Sequence, residues 1–226
     1  MAVLNGIQGL VLPLPGTVID RRRGLTDALG GWAAHAGLAA DVDALVAQYD
    51  RLEADHARAE PAIPDEELRM AAFGDLARAH GVPADAGEAE AFADSADRWP
   101  LFPEAAAALD ALAARHRLAL IADAERASWA VWAKHLPVTP EVVVTVEDAG
   151  ARTPDPAPIR EALDGLSEIG IGMDAIALAG HDRARHLAPA AALGVPAIWV
   201  RRGAGATADG VPVAAEVRDL AALGGA

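Results

Sequence analysis

The chain contains no cysteine, so disulfides, thiolate nucleophiles and zinc–thiolate centres are excluded. Lysine is almost missing as well. Lys134 is the only one and every other strong cation is an arginine, which removes lysine from most catalytic roles. A GC-rich coding bias toward Ala and Arg accounts for that composition as a whole. Aromatic residues make up 4% of the chain, and 19 Lys plus Arg stand against 33 Asp plus Glu, for a formal charge of −14. That balance argues against a nucleic-acid footprint, which needs clustered cations and stacking rings, and anionic membrane surfaces repel it. No run approaches the roughly 18 apolar residues of a membrane helix. Met1 to Leu14 has no basic start, and Asn5, Gly6, Gln8 and Gly9 break its apolar stretch, so it does not read as a secretory signal. The expectation is a cytoplasmic protein with neither nucleic-acid nor membrane partners.

What is present is apolar and patterned. The 226 residues are 53% hydrophobic, enough for one large domain or a core with an insertion. The run Gly9 to Leu14 suits a buried parallel strand, ended near Leu12 because Pro13 donates no ladder hydrogen bond. From Leu25 to about His80 the spacing turns helical, with Val42, Leu45, Val46, Tyr49 and Leu52 on one face. Residues 82–98 are acidic and alanine-rich, and Trp99-Pro-Leu-Phe-Pro103 then marks a boundary. Helices at 104–116, 125–135, 156–166 and 183–193 alternate with strands at 118–122, 142–146, 175–179 and 197–200, and a terminal helix runs over 213–223. Such alternation predicts an α/β fold with a parallel sheet. The first strand has no other sheet to join, so residues 1–19 and 99–226 form the core and 20–98 a helical insertion. Ligands in such sheets bind beyond the carboxyl ends of the strands.

Four local sequences follow one another along this plan: Gly16-Thr17, Trp99-Pro-Leu-Phe-Pro103, Glu147-Asp-Ala-Gly150 with Pro154-Asp-Pro156, and Ala190 to Arg201. In this order and spacing they resemble the haloacid dehalogenase (HAD) superfamily, and within it the L-2-haloacid dehalogenase type with a helical cap. The resemblance implies a Rossmann-like parallel-sheet core with an inserted all-helical cap and a ligand cleft between them.

It also implies catalytic residues that this chain lacks. The family's nucleophilic aspartate stands three residues before the Gly-Thr pair, with a second aspartate two further on in phosphatases. Here those positions are Pro13 and Pro15, and neither can form an aspartyl ester. The family's Ser or Thr after the second strand is Ala122, followed by Asp123, and its motif-three lysine is Thr153. Where acidic residues are common after the fourth strand, Gly180-His-Asp-Arg-Ala-Arg-His186 places His181 and His186 and keeps only Asp182. A hard cation prefers several oxygen ligands, so neither magnesium nor another cofactor is expected.

The candidate catalytic residues are therefore His186 and His181, as general acid or base, with Asp182 orienting them or capping the next helix. Candidate substrate-binding residues are Asp123, Arg21, Arg152, Thr153, Tyr49 and Trp129, with Glu53 and His56 beside Tyr49. Each has a structural alternative: Arg21 to Arg23 as solvated surface charges, Trp129 and Trp132 as helix-to-sheet packing, and Glu125 as a favourable charge in a first turn. The expected function is proton-transfer chemistry on a small organic molecule, of lyase, isomerase or cyclase type, without an aspartyl-enzyme intermediate. Two alternatives stay open: an inert module binding a metabolite or protein, and an ordinary hydrolase if the motifs are misregistered. Related dehalogenases are often dimeric, so a homodimer is an open expectation too.

Overall fold

A computed structural model describes residues 3–61, 63–82, 84–203 and 210–224. The element order is β1 (Gly9–Pro13), α1 (Arg21–His35), α2 (Val42–Ala59), α3 (Asp65–Ala79) and α4 (Ala86–Ala93), followed by α5 (Ala105–Ala113), β2 (Arg117–Ile121), α6 (Arg126–Trp132) and β3 (Val142–Val144). Then come α7 (Val146–Ala149), α8 (Ala157–Glu168), β4 (Ile176–Gly180), α9 (Ala188–Ala192), β5 (Ala197–Val200), β6 (Ala215–Val217) and α10 (Ala221–Gly224). The chain divides into two compact units, one made of Met1–Ile19 with Leu101–Ala226 and the other of Asp20–Pro100.

The first unit is built on a six-stranded sheet in the order β3-β2-β1-β4-β5-β6, with every pairing parallel. Strands covered on both faces read as unbroken apolar runs rather than alternating ones. All five residues of β1 and of β4 are accordingly buried. β1 lies centrally, and the strand order reverses between β1 and β4. That reversal opens a crevice at their carboxyl ends. Val11, Ala119, Ile159, Leu163, Ile176 and Leu178 belong to the core on one side of this sheet.

β1 runs one residue beyond the expected stop at Leu12, and the register explains why proline is tolerated. Pro13 lies opposite Ile121 on β2, and the next amide, Leu14 N–H, donates to Ile121 O at 2.9 Å. Alternate amides along a strand point to opposite neighbours, so the amide missing at Pro13 would face β4. Pairing with β4 ends at Val11 opposite Leu178, so the proline falls at the terminus of that ladder.

Three further expectations are corrected. The segment 213–223 is not a single helix: Ala215–Val217 adds β6 to the sheet edge and only Ala221–Gly224 is helical. The strand expected over 142–146 stops at Val144, because Thr145 and Asp148 form a reciprocal capping box that starts α7. The helix expected over 183–193 opens with a π-helical turn, Arg183–Leu187, before α9.

The second unit is wholly helical. Asp20, Asp41 and Asp85 each cap a following helix through a side-chain oxygen, and Asp85 forms a capping box with Glu88. The buried face of α2 is Leu45, Val46 and Tyr49, with Val42 and Leu52 packed beside it. Phe73 and Phe92 stack at 4.4 Å between centroids, Trp32 meets Phe73 edge-on at 5.3 Å, and Tyr49 leans on Phe92 at 5.2 Å. With so few aromatics in the chain, this cluster carries a large share of the unit's apolar burial. Phe73→Ala is expected to lower unfolding free energy by about 3–5 kcal/mol, read from urea denaturation followed by far-UV circular dichroism.

Candidate functional site

The carboxyl ends of β1 and β4 are joined through Thr17 and His181. His181 N–H donates to Thr17 Oγ1 at 3.1 Å, and the same hydroxyl shares a hydrogen bond with His181 Nδ1, also at 3.1 Å. Thr17 is fully buried. Gly16 makes this contact possible: it has φ +78°, and a Cβ there would lie 2.2 Å from the His181 ring. The imidazole therefore lies directly on the Gly16 backbone. Behind the pair, Arg202 Nη2 donates to Thr17 O at 2.7 Å and Trp199 Nε1 donates to His181 O at 2.9 Å. Arg202 is held in turn by Glu104 at 2.6 Å and by the face of Phe102.

His186 meets His181 edge-on, with 5.2 Å between ring centroids. It is buried, and its Nδ1 has no hydrogen-bond partner among the described residues. Burial pushes its pKa well below the ordinary 6.5, and the neighbouring His181 and Arg185 push the same way. His186 is thus a neutral imidazole and a weak base, rather than the group titrating near neutrality that its residue type suggests. Asp182 does not orient either ring through its carboxylate contacts seen here: Oδ1 accepts from Ala184 N–H and Arg185 N–H, capping the turn.

At the tip of β2, Asp123 adopts a left-handed backbone, φ +52°, the one described residue other than glycine that does so. Aspartate tolerates this region better than most residues. Its side chain is 5% exposed and fully engaged. Oδ1 accepts from Thr153 N–H at 2.9 Å, and Oδ2 accepts from Thr153 Oγ1 at 2.8 Å and from Arg185 Nη2 at 2.5 Å. The carboxylate is therefore neutralised and has few lone pairs left for attack. Arg152 reaches Glu125 at 3.8 Å.

The structure thus gathers Thr17, His181 and His186 into one group, and Asp123, Thr153 and Arg185 into another. Pro13, Pro15 and Ala122 stand at the same strand ends with no side-chain polar atom to offer. Trp129 sits half-buried on α6, and Trp132 on the same helix is buried. Arg21 and Tyr49 belong to the second unit and are committed there. Arg21 donates to Asp50 at 2.7 Å and Glu53 at 2.6 Å, while Tyr49 O–H donates to Glu53 at 3.1 Å. Burial opposes the charge on Arg21, but Glu53 and Asp50 outweigh it and raise its pKa. His56 pairs with Asp75 at 3.0 Å. Sequence reasoning missed Thr17, Arg185 and Arg202. Thr17 and Arg185 lay inside quoted motifs, whereas nothing in the sequence marked Arg202.

The magnesium used by phosphatases of this fold has no fitting donor set here. Prolines stand at both motif-one positions, Asp182 caps its own turn, and among the described residues no three His, Asp or Glu side chains converge as metal ligands. No step is therefore derived through a metal.

A buried neutral histidine makes stability depend on pH. The unfolded chain protonates this imidazole at about pH 6.5 while the folded chain resists, so stability present above that pH is lost as pH falls through it. The carboxylates with lowered pKa values, among them Asp75, Glu141 and Asp148, lose their contribution only at more acidic pH. His186→Leu is expected to flatten the decline in melting temperature between about pH 7 and pH 5, measured by differential scanning calorimetry.

A family model described as haloacid dehalogenase-like hydrolase matches residues 14–192. No curated protein sequence matches the chain. Among solved structures, a defluorinating L-2-haloacid dehalogenase superposes with a TM-score of 0.79 at 20% identity, covering 97% of this chain and 94% of that one. The L-2-haloacid dehalogenase of Xanthobacter autotrophicus with chloropropionic acid covalently bound gives 0.79 at 12%, covering 96% and 97%. A HAD-hydrolase of Bacillus subtilis, solved with bound magnesium, gives 0.76 at 15%, covering 96% of each chain. At these identities the likeness carries the fold alone, whereas the family match spans most of the chain: this protein belongs to the haloacid dehalogenase-like hydrolase family.

Proposed function

We propose that this chain is a non-hydrolytic member of its family, which binds a small organic molecule at the carboxyl ends of β1 and β4 and moves a proton on it through His181. The observation that carries the proposal is Pro13. It ends the central strand in the register where the family's nucleophile stands, and Gly16 and Thr17 follow it in the family's spacing. An aspartyl ester needs a carboxylate oxygen there. Asp123 does not supply a substitute, because Thr153 and Arg185 occupy its oxygens.

Of the two histidines, His181 suits proton transfer better. It is only half-buried, and Thr17 and Trp199 hold it in place, the rigid orientation that general acid–base chemistry requires. His186 packs against its ring as a neutral neighbour. A second reading, an inert binding module, has its own support: Asp123, Thr17 and Arg202 all spend their polar groups inside the protein, which is how a structural site is built.

Three measurements separate these readings. The purified protein is expected to turn over neither a generic aryl phosphate with magnesium nor a 2-haloacid, and hydrolysis of either at about 1 s⁻¹ or faster would overturn the non-hydrolytic proposal. Metabolites that raise the melting temperature in a thermal-shift screen can then be incubated with the protein and followed by mass spectrometry. The expected outcome is conversion by the wild type and a fall of about 10²- to 10⁴-fold in His181→Ala. Recovery of only intact ligand from the wild type would favour the binding module. Unchanged turnover in both His181→Ala and His186→Ala would end the proton-transfer mechanism.

A further inference from the structure

A second site lies within the helical unit, away from the residues discussed above. Gly24, Asp27 and Ala28 of α1, with Ser95, Arg98, Trp99 and Pro100, line a cavity of about 270 Å³. Two of these residues hold polar atoms that are buried and make no hydrogen bond among the described residues: Ser95 Oγ and Trp99 Nε1. A buried donor without a partner is costly, and most such groups in native proteins are satisfied. Bulk water does not satisfy these two, since neither atom is in appreciable contact with solvent.

The indole N–H edge is packed against the α1 backbone at the rim of the cavity. A Cβ on Gly24 would lie 2.0 Å from Trp99 Cδ1 and 2.7 Å from Nε1, so this edge lies directly over a residue that itself lines the space. Glycine is required at this point of α1 because any side chain would displace the indole. Arg98, on the 3-10 turn Asp94–Arg98 that also carries Ser95, is exposed and has no ion-pair partner among the described residues. Asp27, the one acid in the lining, leans toward Arg23 at 3.9 Å. An indole N–H can only donate, a guanidinium can only donate, and a hydroxyl can do so. Their common complement is an anionic acceptor, while Ala28, Pro100 and the indole face provide an apolar wall.

We propose that this cavity binds a small carboxylate, with its oxygens taken by Trp99 Nε1, Ser95 Oγ and the Arg98 guanidinium and its short alkyl group against Ala28 and Pro100. Because both orphan atoms are occluded, binding requires the segment Asp94–Trp99 to shift enough to bring them onto the ligand. The space of about 270 Å³ admits an acid of a few carbons. The site draws on none of the residues in the strand-end reading and stands or falls independently of it.

Acetate is the probe, with tryptophan emission as the readout. The wild type is expected to show a saturable change with half-saturation on the order of 1–10 mM, and chloride at equal ionic strength is expected to produce none. Ser95→Ala and Arg98→Ala should each weaken the response roughly tenfold, and Trp99→Phe should abolish the acetate-dependent rise in melting temperature. Absence of a saturable change up to about 100 mM acetate would overturn the proposal, as would an undiminished response in both Ser95→Ala and Arg98→Ala. Ser95→Ala and Arg98→Ala keep the test decisive if Trp99→Phe does not fold.

Discussion

The hydrogen bonds between Thr17 and His181 hold together the part of the core on which any chemistry must depend. β1 and β4 cease to pair at Val11 and Leu178, and beyond that point Thr17 links their carboxyl ends. A single hydroxyl closes the gap by serving both the backbone and the ring of His181, and it does so from full burial. Gly16, Trp199 and Arg202 are arranged around that closure. The imidazole at the fourth strand is therefore part of the link between the two strand ends.

The second organising constraint is electrostatic. The family resemblance implies a carboxylate on the first strand balanced by a lysine in the third motif, and here both are gone. Losing one alone would strand a buried charge at a cost of about 3–5 kcal/mol, whereas losing both can be neutral. The structure adds a detail to that arithmetic. A buried carboxylate still exists one strand over, at Asp123, and its counter-charge arrives from the fourth-strand loop as Arg185 instead of from the third motif. Thr153, standing where the lysine is expected, serves as a hydrogen-bond donor to this relocated anion.

Much of this was legible in the sequence because the signals were long or apolar. The parallel core, the helical insertion and the face of α2 follow from hydrophobic periodicity. What was not legible depends on contacts between distant residues. Thr17 and His181 are separated by most of the chain, and Asp123 and Arg185 by several elements, so neither pairing leaves a local pattern. The state of His186 could not be read from its residue type, since burial, not the imidazole itself, sets its protonation. At the carboxyl end, Val213, Val217 and Leu220 fall at helical spacing, yet Ala215–Val217 pairs with the edge of β5 as a strand.

The π-helical turn Arg183–Leu187 fixes the angular relation between the strand-end residues and the core that follows them. Both His186 N–H and Leu187 N–H return to Asp182 O, which is what happens when a turn is one residue too wide. Residues before the widening and residues after it are out of angular step. Leu187 and Ala190 keep their seats in the core, while His181 to Arg185 follow a separate phase. The wide turn thus sets the strand-end residues His181 to Arg185 at one angular phase and the core residues Leu187 and Ala190 at another.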